Sequence, residues 1–183
     1  MSNNKTYLFT SDRLGFREWR DDDIALMAAL NADEEVMEFF PSTQTEEQTR
    51  GMIARMRREF IGTGYCYFAV DRLDNGEFIG FIGFVNDSLP VINGGKTFVD
   101  FGWRLAKSAW NKGYATEGAR RCIQYAFDTV GLPTLLAKAP VVNIRSQQVM
   151  IKAGMMKVTN FIHPKLVDNE RLQECVLYEI TNQ

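Results

Sequence analysis

Apolar residues recur along this chain with two periods, every second position in some segments and every third or fourth position in others. The first period is typical of strands and the second of amphipathic helices. The most regular helix pattern follows a short basic loop, and its apolar face consists of Ala115, Ala119, Cys122, Ile123, Ala126, Phe127 and Val130. Gly131 suits the position just after a helix, and Pro133 prevents the helix from continuing. This stretch therefore predicts a helix from Ala115 to Val130.

The same patterns predict the remaining elements. The predicted strands are Tyr7–Trp19 (with a bend), Tyr65–Val70, Glu77–Val85, Lys96–Leu105, Leu135–Val142, Met156–Ile162 and Leu172–Ile180. The other predicted helices are Ile24–Leu30 behind three aspartates, a short one within Asn31–Pro41, one from the capping box Thr45-Glu46-Glu47-Gln48 to Gly62, and Ile144–Ala153. This order predicts an α/β (α+β) fold, a mixed, largely antiparallel seven-stranded sheet with helices on both faces. A single domain over residues 1–183 is the simplest division of the chain.

Glycines give finer predictions for the middle of the chain. Asp74-Asn75-Gly76 lies between two predicted strands, and Asn-Gly suits a tight hairpin turn in which both residues have positive φ. Gly80 and Gly83 lie inside a predicted strand, where glycine is unfavourable. We therefore expect a bulge or a close backbone neighbour at these two glycines.

Composition and charge limit the classes of function. The net charge of −2 and the pI near 5.5 argue against a nucleic-acid-binding surface. No apolar run is long enough to span a bilayer, so a membrane protein is not expected. The three cysteines are far apart and have no metal-ligand spacing, which favours reduced structural thiols and no metal site. We expect a cytoplasmic protein.

The loop Trp110-Asn111-Lys112-Gly113-Tyr114-Ala115 lies between a predicted strand and the predicted helix. The N–H groups at a helix N-terminus form a natural anion site, and Gly113 lets the backbone approach a phosphate closely. Lys112 adds a positive charge. The loop therefore predicts a site for the pyrophosphate of a coenzyme, whereas the alternative is an ordinary strand-to-helix turn.

Further motifs occur around this loop in a fixed order. They are SDRLGFREWRDDDI, NADEEVMEFFP, Phe78-Ile79-Gly80-Phe81-Ile82-Gly83, the loop with Thr116 and Glu117, Asn143 with Ser146, Lys152-Ala153-Gly154-Met155, and Val176-Leu177-Tyr178. Together they resemble the GNAT acetyltransferase superfamily, and most closely its Rim-type branch, which contains ribosomal-protein N-terminal acetyltransferases. The resemblance covers nearly the whole chain and implies the GNAT-like acyl-CoA N-acyltransferase fold.

The chain departs from the superfamily pattern at several positions. Trp110 stands where Gln or Arg is frequent, which is usual in this branch, and Asn111 replaces a frequent Gly. Asn tolerates left-handed backbone angles better than most residues, so this change is expected to be harmless. Many members carry a general-acid Tyr seven residues after the position of Asn143, where this chain has Met150. Asp100 stands where a Glu is frequent.

The resemblance implies an N-acetyltransferase that moves an acetyl group from acetyl-CoA, its co-substrate, to a primary amine by direct attack on the thioester. The amine would be a protein N-terminus or a small molecule, and the protein a monomer or homodimer. The residues expected to bind the coenzyme are Trp103, Arg104, Leu105, Trp110, Asn111, Lys112, Gly113, Tyr114, Ala115, Thr116, Asn143 and Ser146. A non-catalytic CoA-binding regulatory module is the alternative, favoured only by the absence of a Tyr at Met150.

Three residues are candidates for the chemistry. Asp100 is the leading base for the ammonium proton, directly or through water, or else a salt-bridged strand carboxylate. Ser146 is expected to protonate the thiolate, or else only to bond within the first helical turn. The N–H near Leu105 is the expected oxyanion donor.

The acceptor site is predicted less sharply. Its candidates are Phe39, Phe40, Tyr65, Tyr67, Phe84 and His163. Aromatic residues at such spacings are more often core residues. A lone histidine is likewise more often structural, although its ordinary pKa suits proton transfer near neutral pH.

Overall fold

The computed structural model describes residues 6–182, which form one eight-stranded sheet and four α-helices. Residues 1–5 and 183 of the predicted domain lie outside this part. The strands are β1 (Phe9–Thr10), β2 (Leu14–Arg17), β3 (Tyr67–Arg72), β4 (Phe78–Asp87), β5 (Phe98–Leu105), β6 (Thr134–Pro140), β7 (Met156–Ile162) and β8 (Glu174–Thr181). The helices are α1 (Asp23–Ala32), α2 (Glu46–Thr63), α3 (Tyr114–Tyr125) and α4 (Ile144–Lys152). None of these helices is both long and apolar enough to cross a membrane.

The strands lie in the order β1-β2-β3-β4-β5-β6-β8-β7. Every neighbouring pair is antiparallel except β5 and β6, which are parallel. The predicted mixed, largely antiparallel sheet is therefore confirmed. The additional strand arises because the bend expected within Tyr7–Trp19 is a full turn, in which the N–H of Ser11 donates to the carbonyl of Leu14 at 2.9 Å and separates β1 from β2.

Helices cover both faces of the sheet, as predicted. On one face, Asn31 of α1 accepts a hydrogen bond from Arg104 of β5, which pairs directly with Phe81 of β4. Side chains alternate along a strand, so the next residue, Ile82, points to the opposite face. There it meets α3 at Gly118, where an added Cβ would lie 2.3 Å from the Ile82 Cδ1.

Two local predictions are wrong. The segment Asn31–Pro41 does not form a second helix, because the Asp33 side chain accepts hydrogen bonds from the N–H groups of Glu35 and Val36 and thereby stabilises turns. At the hairpin, Gly76 has a φ of 70° but Asn75 is not in the left-handed region. The turn is longer than the two-residue type, since the N–H of Gly76 reaches back to the carbonyl of Arg72 at 2.9 Å.

Other local predictions are confirmed. Thr45 and Gln48 form the reciprocal capping box at the start of α2. Gly80 has a φ of 125°, and the β3–β4 register shifts beside it, between Val70 and Asp71. Gly83 has the expected close neighbour, because a Cβ there would lie 2.2 Å from the carbonyl oxygen of Cys66.

A buried ionic network joins β2, β3 and α1. The Arg17 guanidinium is 2% exposed and donates from Nε and Nη2 to Asp71 and from Nη1 and Nη2 to Asp23, over 2.6–2.8 Å. Both carboxylates are also buried. Charges removed from water in this way are tolerated only when each is paired and hydrogen-bonded. The network therefore holds α1 against the sheet, and the loss of any one of its charges would leave the others buried without a partner.

Replacing Arg17 with Met leaves two buried carboxylates without their cation. We expect Arg17→Met to lower the free energy of unfolding by about 3–5 kcal/mol, the range for breaking a buried ion pair from one side. Urea denaturation followed by circular dichroism measures this. Arg50→Met is the matched control, because Arg50 forms an exposed pair with Glu46 on α2 and its loss costs about 0.5 kcal/mol or less. A loss below 1 kcal/mol in Arg17→Met would contradict the prediction.

Candidate active site

The sheet opens between β5 and β6. These strands share only one residue pair, Asp100 with Leu136. On the other side of β5, the N–H of Ala106, just after the strand, donates to the carbonyl of Ile79 in β4 at 2.9 Å. Successive residues of an antiparallel strand direct their backbone groups to alternate sides, so Leu105 and Trp103 direct theirs toward β6. Their backbone N–H groups thus face the opening.

The basic loop and the N-terminus of α3 lie beside this opening. Asn111 and Gly113 both adopt left-handed backbone angles, with φ of 59° and 81°. This conformation turns the chain sharply into α3. The first helical backbone hydrogen bond of α3 runs from the N–H of Glu117 to the carbonyl of Gly113 at 3.0 Å. The preceding N–H groups of Tyr114, Ala115 and Thr116 lack helical acceptors, and no side chain caps this end. The end of α3 is therefore suited to bind an anion.

Glu117 fastens this loop to the N-terminal strands. Its carboxylate accepts hydrogen bonds from the Ser11 hydroxyl at 2.7 Å and from the Arg13 backbone and Nε at 2.8 and 2.6 Å. Arg13 in turn donates from Nη1 to the Lys112 carbonyl at 3.0 Å and stacks over Tyr114. Burial alone would raise the pKa of Glu117, but the hydrogen bonds from Ser11 and Arg13 lower it overall. The side chain holds the loop in place.

A cavity of about 780 Å³ runs through the opening. Its lining includes eleven of the twelve predicted coenzyme residues, namely Trp103, Arg104, Leu105, Trp110, Asn111, Gly113, Tyr114, Ala115, Thr116, Asn143 and Ser146. The twelfth, Lys112, does not line it. Trp110 also closes one end of β5, because its indole N–H donates to the Leu105 carbonyl at 2.8 Å.

The start of α4 forms the opposite wall. The Asn143 side-chain oxygen accepts from the Ser146 N–H at 3.1 Å and so caps the helix. This leaves the Asn143 amide nitrogen free to donate. Met150, at the position of the frequent general-acid Tyr, also lines the cavity and is 2% exposed.

Asp100 is part of a charged cluster at the far end of the cavity. Its carboxylate accepts hydrogen bonds from the Tyr67 hydroxyl and from Lys138 Nζ, and Lys138 also donates to Asp87 at 2.8 Å. Burial alone would lower the pKa of Lys138, but the two carboxylates raise it overall. Burial and the charge of Asp100 both raise the pKa of Tyr67. With two carboxylates and one ammonium, the cluster carries a net charge of −1.

The predicted acceptor residues divide into two groups. Phe39, Phe40 and Tyr67 line the cavity. Phe84 does not, being fully buried beneath the sheet and packed against Phe68. Tyr65 and His163 also lie outside the cavity lining: the Tyr65 hydroxyl donates to Asn86 at 2.9 Å, and His163 Nδ1 accepts from the Lys165 N–H at 3.2 Å.

Sequence reasoning missed several cavity residues. Phe81 and Lys138 line the cavity but were not predicted. Arg104 was predicted to bind the coenzyme, but its side chain lies on the sheet face that carries Phe81 and α1. Alternation along β4 and β5 was the available signal, because Phe81, Asp100 and Arg104 share one face. Among residues 6–182, no group of three His, Cys, Asp or Glu side chains is close enough together to hold a metal ion.

Comparison with known proteins places this geometry in a family. The family described as Acetyltransferase (GNAT) domain matches residues 13–156. The Bacillus subtilis protein YkkB, described as uncharacterized, is 31% identical over 154 residues, which cover 84% of this chain and 87% of YkkB. The FsC-acetyl coenzyme A-N(2)-transacetylase of Aspergillus fumigatus is 31% identical over 113 residues, covering 59% of this chain and 47% of that protein.

Solved structures share the fold. A GNAT-family acetyltransferase from Bacillus anthracis has a TM-score of 0.76 at 26% identity, over 94% of this chain and 96% of that one. At 16% identity, the ribosomal-protein-S5-alanine acetyltransferase of Vibrio fischeri has a TM-score of 0.74, with coverage of 96% of each chain. The spermidine N-acetyltransferase of Vibrio cholerae has 0.70, also at 16% identity, over 92% of this chain and 95% of that one. The last two likenesses concern the fold alone.

The lowered pKa of Glu117 makes the loop's anchorage dependent on pH. An acid whose pKa is lower in the folded state contributes stability that is complete above its ordinary pKa of 4.5 and is lost as the pH falls through the folded value. We expect Glu117→Gln to cost about 1–2 kcal/mol at pH 7, and the difference from the wild type to shrink below pH 4.5. Urea denaturation at several pH values measures both.

Glu170→Gln is the control, because Glu170 is exposed and the change should alter stability little at either pH. A wild-type-to-variant difference for Glu117→Gln that stays constant from pH 7 to pH 3.5 would contradict the assigned anchorage.

Proposed function

The chain belongs to the GNAT acetyltransferase family, and on that premise we propose that it is an N-acetyltransferase that moves an acetyl group from acetyl-CoA to a primary amine. The observation that carries the proposal is the single residue pair between β5 and β6, next to the uncapped N-terminus of α3. The open strand edge can pair with an extended amide-bearing arm, and the helix end can bind a pyrophosphate.

The residues around the opening fit the coenzyme. The N–H groups of Tyr114, Ala115 and Thr116 would bind the pyrophosphate, and the left-handed angles of Asn111 and Gly113 direct neighbouring N–H groups to the same point. The open edge of β5 at Trp103 and Leu105 would pair with the amides of the pantetheine arm. On the opposite wall, the free amide nitrogen of Asn143 is a further donor.

Acetyl-CoA supplies an activated acyl group, and the protein positions it for direct attack by an amine. Attack forms the C–N bond and breaks the C–S bond, so that the ammonium must lose a proton and the thiolate gains one. The outward N–H of Leu105 is suited to stabilise the carbonyl oxygen as it becomes negative. Ser146, which lines the cavity, is the proposed proton donor to the thiolate.

Asp100 is the proposed base, and it acts through water. Five residues separate Asp100 from Leu105, which corresponds to about 17 Å along a strand, so direct contact with an amine at Leu105 is excluded. Gly102 lies between them on the face of Asp100 and has no side chain, which leaves space for solvent. The ion pair with Lys138 fixes the orientation of the carboxylate.

The acceptor is proposed at the level of a primary amine, on a small molecule or a protein N-terminus. The names of the two distant Vibrio enzymes, which concern spermidine and a ribosomal protein, illustrate how widely acceptors vary on one fold. The proposal that the chain lies near the Rim-type branch rests on the motifs that resemble that branch, such as Trp110–Glu117 and Asn143 with Ser146. The alternative function, a CoA-binding module without catalysis, is favoured by Met150, which removes the frequent acid.

Gly113→Ala tests the coenzyme site. Alanine at a φ of 81° is strained, and we expect the loop to relax this strain by moving its N–H groups apart. We expect CoA to bind at least tenfold more weakly, as measured by isothermal titration calorimetry. Gly131→Ala is the matched control, since it introduces similar strain at a φ of 76° beyond the other end of α3, with no atom within 4 Å of the new Cβ. Equal affinities in both variants would contradict the assignment.

Asp100→Ala and Asn143→Ala separate the two candidate functions. If the chain is an enzyme, Asp100→Ala should lower kcat by about 10²–10⁴-fold with little change in CoA affinity, as expected for loss of a general base. Asn143→Ala should slow turnover and also weaken CoA binding. Release of CoA thiol with a panel of amines is the assay. Tight CoA binding with no thiol released by any amine would overturn the enzyme proposal and support the non-catalytic module.

A further inference from the structure

Arg104 is a buried cation on the wall of the cavity. Arg104 is only 8% exposed, although it lines the cavity on the proposed acceptor side of β5. Its guanidinium lies between two aromatic rings, with the central carbon 4.1 Å from the ring centroid of Phe40 and 5.6 Å from that of Phe81. Within residues 6–182, its one side-chain hydrogen bond runs from Nη1 to the Asn31 side-chain oxygen at 2.5 Å. No carboxylate in that part of the chain forms an ion pair with it.

The second buried arginine, Arg17, shows what this environment ordinarily requires. The Nε and Nη2 donors of Arg17 form a fork that is filled by the two oxygens of Asp71, at 2.7 and 2.8 Å. On Arg104 the same fork has no acceptor among the described residues, and Nε is fully buried without a partner. A planar guanidinium fork matches the geometry of a carboxylate.

Electrostatics agree with this difference. Burial lowers the pKa of Arg104 to about 10, whereas the two buried aspartates raise the pKa of Arg17. Arg104 therefore remains charged near neutral pH but is stabilised by no counter-ion of its own. A buried charge without a partner is costly, and an anion arriving with a ligand would remove much of that cost.

The surroundings suggest what else the ligand carries. Asp100, Gly102 and Arg104 follow one another on one face of β5, so a negative cluster and a positive side chain lie on either side of a position without a side chain. An anion is favoured near Arg104, which is the neighbour of Leu105 in β5, so a carboxylate bound by Arg104 would lie close to an amine that attacks the thioester at Leu105. The aromatic rings of Phe40, Tyr67 and Phe81 form apolar walls between these ends.

We propose that Arg104 binds a carboxylate on the acceptor, and that the acceptors are therefore small amino carboxylates, molecules that carry both a primary amine and a carboxylate. This inference rests on the proposed function and narrows its substrate class. The Phe40 ring, which is 38% exposed and lies on the turn after α1, stacks over the guanidinium with its centroid 4.1 Å from the guanidinium carbon. A carboxylate that binds the fork would have to displace this ring.

A purely structural role for Arg104 leads to a different expectation. In that role the guanidinium only holds Asn31 and Phe40 against the sheet, and any substitution that breaks this contact changes activity in the same way. Asn31→Ser removes the acceptor of the Nη1 hydrogen bond but leaves the charge of Arg104 in place. Arg104→Gln removes the charge and keeps a polar side chain that can reach toward Asn31. The two variants thus separate anchoring from ligand recognition.

The test measures CoA release with matched pairs of acceptors. Each pair consists of an amino carboxylate and its carboxamide, drawn from the common α-amino acids and from linear ω-amino acids, with spermidine and an amidated neutral peptide as amines that lack a carboxylate. The quantity compared is the ratio of kcat/KM for carboxylate to that for carboxamide. We expect a ratio of at least tenfold in the wild type, below threefold in Arg104→Gln, and close to the wild-type value in Asn31→Ser. Calorimetric binding of CoA checks that each variant is folded.

A wild-type ratio of kcat/KM for carboxylate to carboxamide below threefold overturns the carboxylate inference and leaves the proposed function standing. CoA release only with spermidine or the amidated peptide has the same consequence. A high ratio that survives in Arg104→Gln, or that falls equally in Asn31→Ser, also overturns it. CoA release with none of the amines overturns the proposed function and the inference together.

Discussion

The opening between β5 and β6 is the constraint on which the rest of the site depends. Backbone N–H groups that leave a sheet must find other partners, and a parallel pair joined at one residue leaves those of Trp103 and Leu105 facing outward. The chain satisfies part of this edge itself, through the Trp110 indole bonded to the Leu105 carbonyl. The remaining donors are available to an extended ligand, and the nearby start of α3 adds further N–H groups at the same end.

Charge is distributed differently in the three buried polar clusters of the described chain. Arg17 is surrounded by two carboxylates and serves only to join β2, β3 and α1. Lys138 is also paired with two carboxylates, but this cluster opens onto the cavity. Arg104 has no carboxylate partner and borders the same cavity. Ion pairing is thus complete at Arg17 and Lys138 and absent at Arg104, the cation next to the proposed reaction site, as expected where a ligand completes the electrostatics.

The sequence predicted best those features that depend on local backbone chemistry. The Thr45–Gln48 capping box, the irregularity at Gly80 and the loop before α3 are each encoded within a few adjacent residues, and the structure contains all three. Asn75 and the segment Asn31–Pro41 were mispredicted because several turn types compete for the same short sequences and small side-chain hydrogen bonds decide between them. Phe84 and Tyr65 were proposed for the acceptor site, although their side chains contact the core and Asn86 instead.

The acceptor side was less accessible to sequence reasoning for a physical reason. The proposed coenzyme side consists mainly of backbone N–H groups, whose directions follow from glycine positions and helix starts. The proposed acceptor side consists of side chains that are far apart in sequence, such as Arg104 and Asn31, 73 residues apart. No local pattern reveals that a strand arginine will lack a carboxylate partner, because the answer depends on every element packed around it. The proposed coenzyme site can therefore be predicted from the sequence, whereas the proposed acceptor site depends on hydrogen-bonding groups that the folded structure leaves without partners.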